Sequence, residues 1–193
     1  MNHKTDQQIE NWSQRIYKSD RDAFDSLFRL MYPQLVRFAA SYTRDKSLAC
    51  DIVQDTFVIL WQKRKQIDKN RSLRAFLYQI VRNRSINTLR DYSNETLSSN
   101  PEGFHQQHIA GIDQTENDEP SNQLSEKFSE WIKSLPERQQ EAFELSRFEG
   151  LDHNEIADVM NISAKTVNNH IVAALKKLKT EYDLYKNNEN SQK

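Results

Sequence analysis

Near the C-terminal end of the chain, the order of apolar and polar positions predicts two short helices around a tight turn. Asp152 and Glu155 have the spacing of a capping box at the start of the first helix. Asn161 follows that helix, and Asn tolerates the left-handed backbone that a tight turn requires. Ser163 is a suitable N-cap for the second helix. The apolar side of the first helix is Ile156, Ala157 and Val159.

The second helix of this pair has one apolar stripe and one polar face. The stripe repeats at steps of four and three, and it consists of Val167, Ile171, Leu175 and Leu178. The opposite face consists of Lys165, Asn168, Asn169, Val172 and Lys176. Lysine, asparagine and a small apolar group on one face can contact phosphates and base edges in a DNA major groove. The pattern therefore predicts a DNA-binding helix-turn-helix, with a plain helical hairpin and a solvated basic face as the alternative.

The N-terminal half is predicted to contain longer amphipathic helices. The first begins at Arg21 and contains Pro33, where we expect a kink or a break. The next two are predicted from about Leu48 to Lys65 and from about Ser72 to Tyr92. Residues 1–20 are expected to be a lead-in with one short helix.

The helix from Leu48 has a polar face that is compatible with more than one function. Its apolar stripe is Ala49, Ile52, Val53, Phe57 and Leu60, and its other face includes Asp51, Gln54, Asp55 and Val58. Asp51 and Asp55 are one turn apart, so their carboxylates point the same way. They fit a metal or acid–base pair, a solvated acidic face, or a docking face for a basic partner. No His or Cys ligand accompanies them, so a metal site is the least favoured of these.

The helix from Ser72 combines aromatic residues with a basic, amide-rich end. That end contains Arg82, Asn83, Arg84, Asn87 and Arg90. Aromatic rings beside arginines can stack on unpaired bases, and Phe76 and Tyr78 lie on the same helix. For Phe76 we favour a core position, and for the arginine–asparagine end we favour nucleic-acid binding.

The helical spacing of apolar residues ends after this helix and resumes nearer the C-terminus. Residues 93–122 are rich in polar residues, Pro and Gly, which predicts a flexible acidic linker. His105 and His108 in it have the spacing of a metal pair but lack further ligands. The sequence thus predicts an all-α protein with two small helical domains, 21–92 and 123–183, the second a helix-turn-helix, and a polar tail at 184–193.

Composition and charge narrow the class of protein. The 193 residues include only 3 Gly, 4 Pro and 1 Cys, which favours a helical protein without internal disulfides. No apolar run has the roughly 20 residues of a membrane span, and no signal-peptide core is present, so we expect a cytoplasmic protein without direct membrane insertion. The net charge is -1. Because a self-sufficient DNA-binding protein is commonly basic, tight DNA binding is expected to need a partner.

The order of these parts resembles an extracytoplasmic function (ECF) sigma factor of bacterial RNA polymerase. The residues that carry the resemblance are Asp51–Trp61, Leu73–Asn83, Leu135–Arg138 and the helix-turn-helix. The low glycine content, with many Asn and Lys, resembles members from the Bacteroidetes. The chain departs from the family pattern at Asn161, where Gly is usual, and at His170, where a basic residue is usual.

The resemblance implies a role for each polar face. Core polymerase would be bound by Asp51, Gln54, Asp55 and Val58. The loop Asp68–Ser72 would hold a flipped-out base, and the −10 element would be contacted by Asn70, Arg71, Arg82, Asn83, Asn87 and Arg90. The −35 element would be contacted by Ser163, Lys165, Thr166, Asn168, Asn169, Val172 and Lys176. The acidic linker would pass through the polymerase cleft, and an anti-sigma factor would regulate the protein.

The sequence therefore predicts an initiation factor that binds core RNA polymerase and promoter DNA. We expect no catalytic centre, cofactor, metal or small-molecule substrate, because no nucleophile–base set, phosphate-binding glycine loop or ligand cluster occurs. The main alternative is a stand-alone helix-turn-helix regulator, which would bind duplex DNA without polymerase. A helical adaptor that binds only protein is the second alternative, and an enzyme is the least favoured.

Overall fold

Every regular element in the described part of the chain is an α-helix, as predicted. The computed structural model describes residues 3–68, 71–97 and 121–191. Its helices are α1 (His3–Tyr17), α2 (Arg21–Thr43), α3 (Lys46–Lys63), α4 (Leu73–Leu97), α5 (Ser121–Lys133), α6 (Glu137–Arg147), α7 (His153–Met160) and α8 (Ala164–Ser191). Asn70 and most of the predicted linker, including His105 and His108, lie outside the described residues.

The helices belong to two compact units. The first, here the N-terminal domain, contains α1–α4; the second, the C-terminal domain, contains α5, α6, α8 and the first part of α7. Each domain has buried apolar residues of its own. The prediction of two small helical domains is therefore confirmed.

The start of α2 is defined by the side chain of Asp20. Its carboxylate accepts hydrogen bonds from the Arg15 guanidinium at 2.8 Å and from the Ala23 amide at 3.1 Å. The bond from Arg15, and next the bond from the amide, hold the pKa of Asp20 below its ordinary value. This N-cap therefore carries its charge at neutral pH, where it also favours the positive end of the helix dipole.

Pro33 does not break α2. The helix continues through it to Thr43, although proline cannot donate the backbone hydrogen bond of that position. The residues of the inward stripe on either side, Leu27, Met31 and Leu35, are fully buried. Burial of one such side chain contributes about 1.5–3 kcal/mol, so together they offset the lost hydrogen bond. The predicted break is wrong for this reason.

The N-terminal segment is more ordered than the predicted lead-in. α1 is a 15-residue helix. Its side chains Ile9 and Ile16 are buried, and the helix contacts both α2 and α4. α1 is therefore part of the N-terminal domain.

The core of the N-terminal domain forms where α2, α3 and α4 meet. The predicted stripe of α3 is buried, as are Leu73, Leu77 and Val81 of α4. α4 continues to Leu97, past the predicted end at Tyr92. These contacts determine which faces of α3 and α4 point outward.

The core of the C-terminal domain joins α5, α6 and α8. It consists of Ile132, Leu135, Phe143, Ala174 and Leu178, with Trp131 packed against it. The Lys177 ammonium donates a hydrogen bond to the Ser134 carbonyl at 2.5 Å, just past the end of α5. A lysine there satisfies a carbonyl that the helix leaves without a partner. α8 continues to Ser191, so most of the predicted polar tail is helical.

None of the described helices is long and apolar enough to span a membrane.

Candidate nucleic-acid interface

The start of α7 has the predicted capping box. The Asp152 carboxylate accepts hydrogen bonds from the amides of Asn154 at 2.7 Å and Glu155 at 2.9 Å. The Glu155 carboxylate in turn accepts one from the Asp152 amide at 3.0 Å. The two side chains thus satisfy amides that have no partner inside the helix.

The turn between α7 and α8 also has the predicted geometry. Asn161 has a φ of 54°, in the left-handed region, and the Ile162 amide donates to the Ala157 carbonyl at 3.1 Å. The Ser163 hydroxyl then accepts from the Thr166 amide at 3.1 Å and lies 2.8 Å from the Thr166 hydroxyl. The Asn161 turn and the Ser163 cap are therefore confirmed. Both hydroxyls at the start of α8 are engaged with each other.

The outer face of α8 presents the residues predicted to contact DNA. Lys165, Asn168, Asn169 and Lys176 are exposed, and Val172 is 55% exposed. Thr166 is half-buried because of its contact with Ser163. This face is long enough to enter a major groove and combines amide, ammonium and apolar groups.

The prediction for one residue of the inward stripe of α8 is wrong. Leu175 is 40% exposed, and Ala174 is fully buried in its place. The buried stripe therefore runs through Val167, Ile171, Ala174 and Leu178. Ala174 packs in the core that also contains Phe143 of α6, whereas a hydrophobicity pattern favours the larger leucine.

The polar end of α4 divides into an inward and an outward side. Asn83, Asn87 and Arg90 are exposed, and their spacing of four and three residues places them on one face. Arg71, shortly before α4, is also exposed. Arg82 is only 9% exposed, so the structure separates it from the other residues predicted to contact the −10 element.

Tyr78 is not available to stack on a base. Its side chain is fully buried, and its ring packs edge-on against Phe38 with the ring centroids 5.0 Å apart. Phe76 is half-buried, so it occupies only in part the core position favoured for it. The idea of an aromatic stacking surface on α4 is therefore wrong for Tyr78, because the buried side of α4 includes Ala75 and Tyr78, whereas Ile80 is only half-buried.

The outer face of α3 carries the residues predicted to bind core polymerase. Asp51, Gln54, Asp55 and Val58 are all exposed along one side of the helix. The Asp55 carboxylate accepts a hydrogen bond from the Arg84 guanidinium at 3.0 Å. Sequence reasoning counted Arg84 only as part of a basic stretch and missed this pair, because the two residues are far apart in the chain.

The inner edge of the same α3 face borders a tyrosine. The pKa of Tyr32 is raised, first by a hydrogen bond with the Cys50 side chain and then by burial, while a hydrogen bond with Gln54 opposes the shift. Tyr32 therefore stays neutral at physiological pH and adds no charge to the acidic face. In the part of the chain that is described, no group of three or more His, Cys, Asp or Glu residues could hold a metal ion.

Two protein families match the chain in the order of its domains. Sigma-70 region 2 matches residues 27–95, and Sigma-70 region 4 matches residues 125–178. The ECF RNA polymerase sigma factor SigM of Bacillus subtilis (strain 168) is 26% identical over 167 residues, which cover 86% of this chain and 98% of SigM. The chain belongs to the ECF group of the sigma-70 family.

Further relatives agree with this assignment. The ECF RNA polymerase sigma factor RpoE of Cereibacter sphaeroides is 29% identical to this sigma factor over 161 residues, which cover 83% of this chain and 86% of the relative. The sigma factor RpoE of Bartonella quintana, solved in complex with the anti-sigma factor NepR, has a similar fold, with a TM-score of 0.63, 23% identity and coverage of 83% of this chain and 96% of that one. The resemblance in composition to Bacteroidetes members stays a prediction.

The assignment decides between the functions left open by the sequence. This sigma factor directs promoter-specific initiation by RNA polymerase. A stand-alone helix-turn-helix regulator is not favoured, because a region 2 and a region 4 are both present in one chain.

The turn at Asn161 generates a testable prediction. Asn161→Ala is expected to destabilise the C-terminal domain by about 1–2 kcal/mol, because a β-carbon without a compensating polar group is disfavoured at positive φ. The matched control is Asn161→Gly, which removes the side chain but accepts that backbone conformation and should be neutral or slightly stabilising. Urea unfolding followed by circular dichroism measures both. Equal destabilisation by the two substitutions would contradict the role given to the left-handed turn.

Proposed function

We propose that this sigma factor binds core polymerase through the outer face of α3 and reads promoter DNA through α4 and α8. The observation that carries this proposal is the same for all three helices. Each buries an apolar stripe and exposes, on the opposite side, side chains suited to its partner. Carboxylates on α3 suit a basic protein surface, and amides with cationic groups on α4 and α8 suit DNA.

In this proposal α8 reads the −35 element in the major groove. Asn168 and Asn169 supply amides that can donate and accept, as recognition of an adenine edge requires. Val172 can contact a thymine methyl group, and Lys165 and Lys176 can bind phosphates. Ser163 and Thr166 begin the helix, where backbone amides favour a phosphate.

The −10 element is assigned to α4 and to the connection that precedes it. Asn83, Asn87 and Arg90 form the exposed face of α4, and Arg71 adds a cation just before the helix. The predicted role of residues 68–72 is to hold an unpaired base. Asn70 remains part of that prediction, although it lies outside the described residues.

Arg82 is not assigned a DNA contact in this proposal. A side chain that is 9% exposed would have to leave its position to reach DNA. We therefore assign base and phosphate contacts to the exposed face of α4 and regard Arg82 as supporting that face from within.

Charge explains why polymerase is needed. The net charge of -1 provides little overall attraction for DNA, and the counterion release that drives DNA binding depends on the number of cations at the interface. Docking of Asp51 and Asp55 on a basic polymerase surface removes acidic groups from solvent and adds the partner's own DNA contacts. The sigma factor then supplies specificity, and the polymerase supplies much of the affinity.

We infer that the protein acts as an initiation factor and not as an enzyme, and that it works in the cytoplasm beside the polymerase. We also infer that an anti-sigma factor binds it. The solved relative from Bartonella quintana is in complex with one. In support, α5 of this chain exposes Leu124 and Phe128, apolar side chains of the kind that a protein partner covers.

Transcription with purified core polymerase tests the proposed function directly. Genomic fragments serve as templates, with and without this protein, and the 5′ ends of the transcripts are sequenced. We expect new start sites that share two spaced motifs upstream. Tight duplex binding by the protein alone, with no core binding and no new start sites, would instead support a stand-alone regulator.

The polymerase-binding face generates a second prediction. Asp51→Arg combined with Asp55→Arg should weaken core binding by about 100-fold or more, because like charges would meet across the interface. Fluorescence anisotropy of labelled sigma factor titrated with core polymerase measures the affinity. Asp51→Arg alone is tested in parallel, because Asp55 also pairs with Arg84.

The control for this experiment is Glu10→Arg with Asp25→Arg, which changes the charge equally at exposed positions of α1 and α2. Circular dichroism checks that both double variants are folded. Normal core affinity of the α3 double variant would refute the docking face.

The −35 assignment predicts different effects for an amide and an ammonium on α8. Asn169→Ala should reduce discrimination at one −35 position by about 1–3 kcal/mol, because a base contact is lost. Lys176→Gln should weaken all promoters alike and lower the salt dependence of binding. A library of −35 variants transcribed by each holoenzyme measures both effects. An unchanged base preference for Asn169→Ala would show that Asn169 does not read the element.

A further inference from the structure

A buried arginine joins α1 to the start of α4. The Arg74 side chain is only 2% exposed, and its guanidinium donates a hydrogen bond to the Asp6 carboxylate at 3.3 Å. A charge that is removed from water must be matched by polar partners inside the protein. Asp6 lies on α1, so this ion pair links α1 to the first turn of α4.

A second arginine joins Ser19, in the turn after α1, to the end of α3. Arg64 follows α3 directly, and its Nε donates to the Ser19 hydroxyl at 3.0 Å. The same guanidinium donates to the Trp61 carbonyl at 2.5 Å and lies over the Trp61 ring, 4.5 Å from its centroid. Ser19, between α1 and α2, is held in the left-handed region with a φ of 67°.

The two contacts lie on either side of the connection between α3 and α4. Arg64 is at its beginning and Arg74 is just after its end. The contacts Asp6–Arg74 and Ser19–Arg64, here called the N-terminal contacts, therefore link both ends of this connection to residues 6–19, which are α1 and the turn after it. Ile9 and Ile16 are buried between them, so the segment is itself packed into the domain.

We propose that α1 and the turn after it, through the N-terminal contacts, position the ends of the α3–α4 connection and thereby determine how well this sigma factor discriminates between −10 sequences. This inference rests on the proposed function of that connection in reading the −10 element. Asp6 and Ser19 are positioning residues here, because neither is assigned a contact with DNA. Both precede residue 27, where the match to Sigma-70 region 2 begins.

This effect is expected because base recognition allows very little displacement of the groups that contact the base. Hydrogen bonds to a base edge weaken steeply when a donor or acceptor moves by a fraction of an ångström. A connection whose ends are fixed restricts the positions that its residues can occupy, so the correct base is bound at a lower entropic cost. Release of either end lets wrong bases be accommodated nearly as well.

Two substitutions can release the ends with little damage to the fold. Asp6 is 54% exposed on its side chain, so Asp6→Asn opens no cavity. Ser19→Gly removes the hydroxyl, and glycine accepts a φ of 67° without strain. An effect of these two substitutions on promoter choice therefore cannot be attributed to a cavity or to a strained backbone.

The experiment uses full-length holoenzyme with the Asp6→Asn, Ser19→Gly double variant. Templates share one −35 element and carry either the preferred −10 sequence or single-base substitutions of it. Open-complex formation is followed by permanganate reactivity of unpaired thymines, and core affinity and thermal unfolding are measured alongside. We expect the preference for the best −10 sequence to fall by about fivefold, the low end of what one base pair contributes, while core affinity stays the same.

The matched control is Glu10→Gln, which makes the same change of charge at an exposed position of the same helix and should leave discrimination unchanged. Asp6→Glu alone, which keeps a carboxylate at position 6 and the Ser19 hydroxyl, should retain most of the discrimination. Unchanged −10 discrimination in the double variant would overturn the proposal. So would an equal loss on every template together with weaker core binding or a lower melting temperature, because that pattern indicates general destabilisation.

The wild-type holoenzyme separates failure of this inference from failure of the function on which it rests. If wild type shows no preference among −10 substitutions that lie opposite the connection, the connection does not read that element and both proposals fail. If wild type discriminates and the double variant discriminates equally well, only the role of α1 is wrong.

Discussion

Burial of an apolar stripe on each helix is the constraint on which the binding surfaces of this sigma factor depend. An α-helix has a fixed angular spacing between residues, so the residues that enter the core determine which ones face solvent. In α8, Val167 and Ala174 are fully buried, and this orientation presents Asn168, Asn169 and Val172 outward. The same argument applies to α3 and α4. The composition of each proposed binding face is thus a consequence of core packing as much as of the polar residues themselves.

Much of this architecture could be predicted from the sequence because it depends on local patterns. Caps, the turn at Asn161 and the stripe of α3 are each specified by residues within one or two helical turns. The errors have a common origin in tertiary contacts. Ala174, and not Leu175, joins the core that contains Phe143 of α6, and Tyr78 is buried with its ring edge-on against Phe38 of α2. The pairs Asp6–Arg74 and Asp55–Arg84 join residues too far apart in the chain for any periodicity to reveal.

The predicted sites differ in whether all of their residues are exposed. The faces of α3 and α8 are exposed as sets, which follows from simple helical geometry. The −10 set is divided, because Arg82 and Asn83 are neighbours in sequence and therefore point about 100° apart on a helix. Composition alone treats an arginine–asparagine stretch as one basic patch. Only the burial pattern distinguishes the residues that can reach DNA from those that support the helix.

The ion pair between Asp55 and Arg84 connects the proposed polymerase-binding face of α3 to α4, the helix whose exposed polar face is proposed to read the −10 element. In the proposed complex, a polymerase residue that drew Asp55 into a new ion pair would leave Arg84 with more of its positive potential for a nearby phosphate. Thermodynamic linkage makes the effect reciprocal, so DNA that attracts Arg84 also favours the interaction of Asp55 with polymerase. Exposed ion pairs contribute at most about 1 kcal/mol, which limits this cooperativity to about fivefold. On these assignments, one surface ion pair would give the free protein a small bias against binding either partner alone.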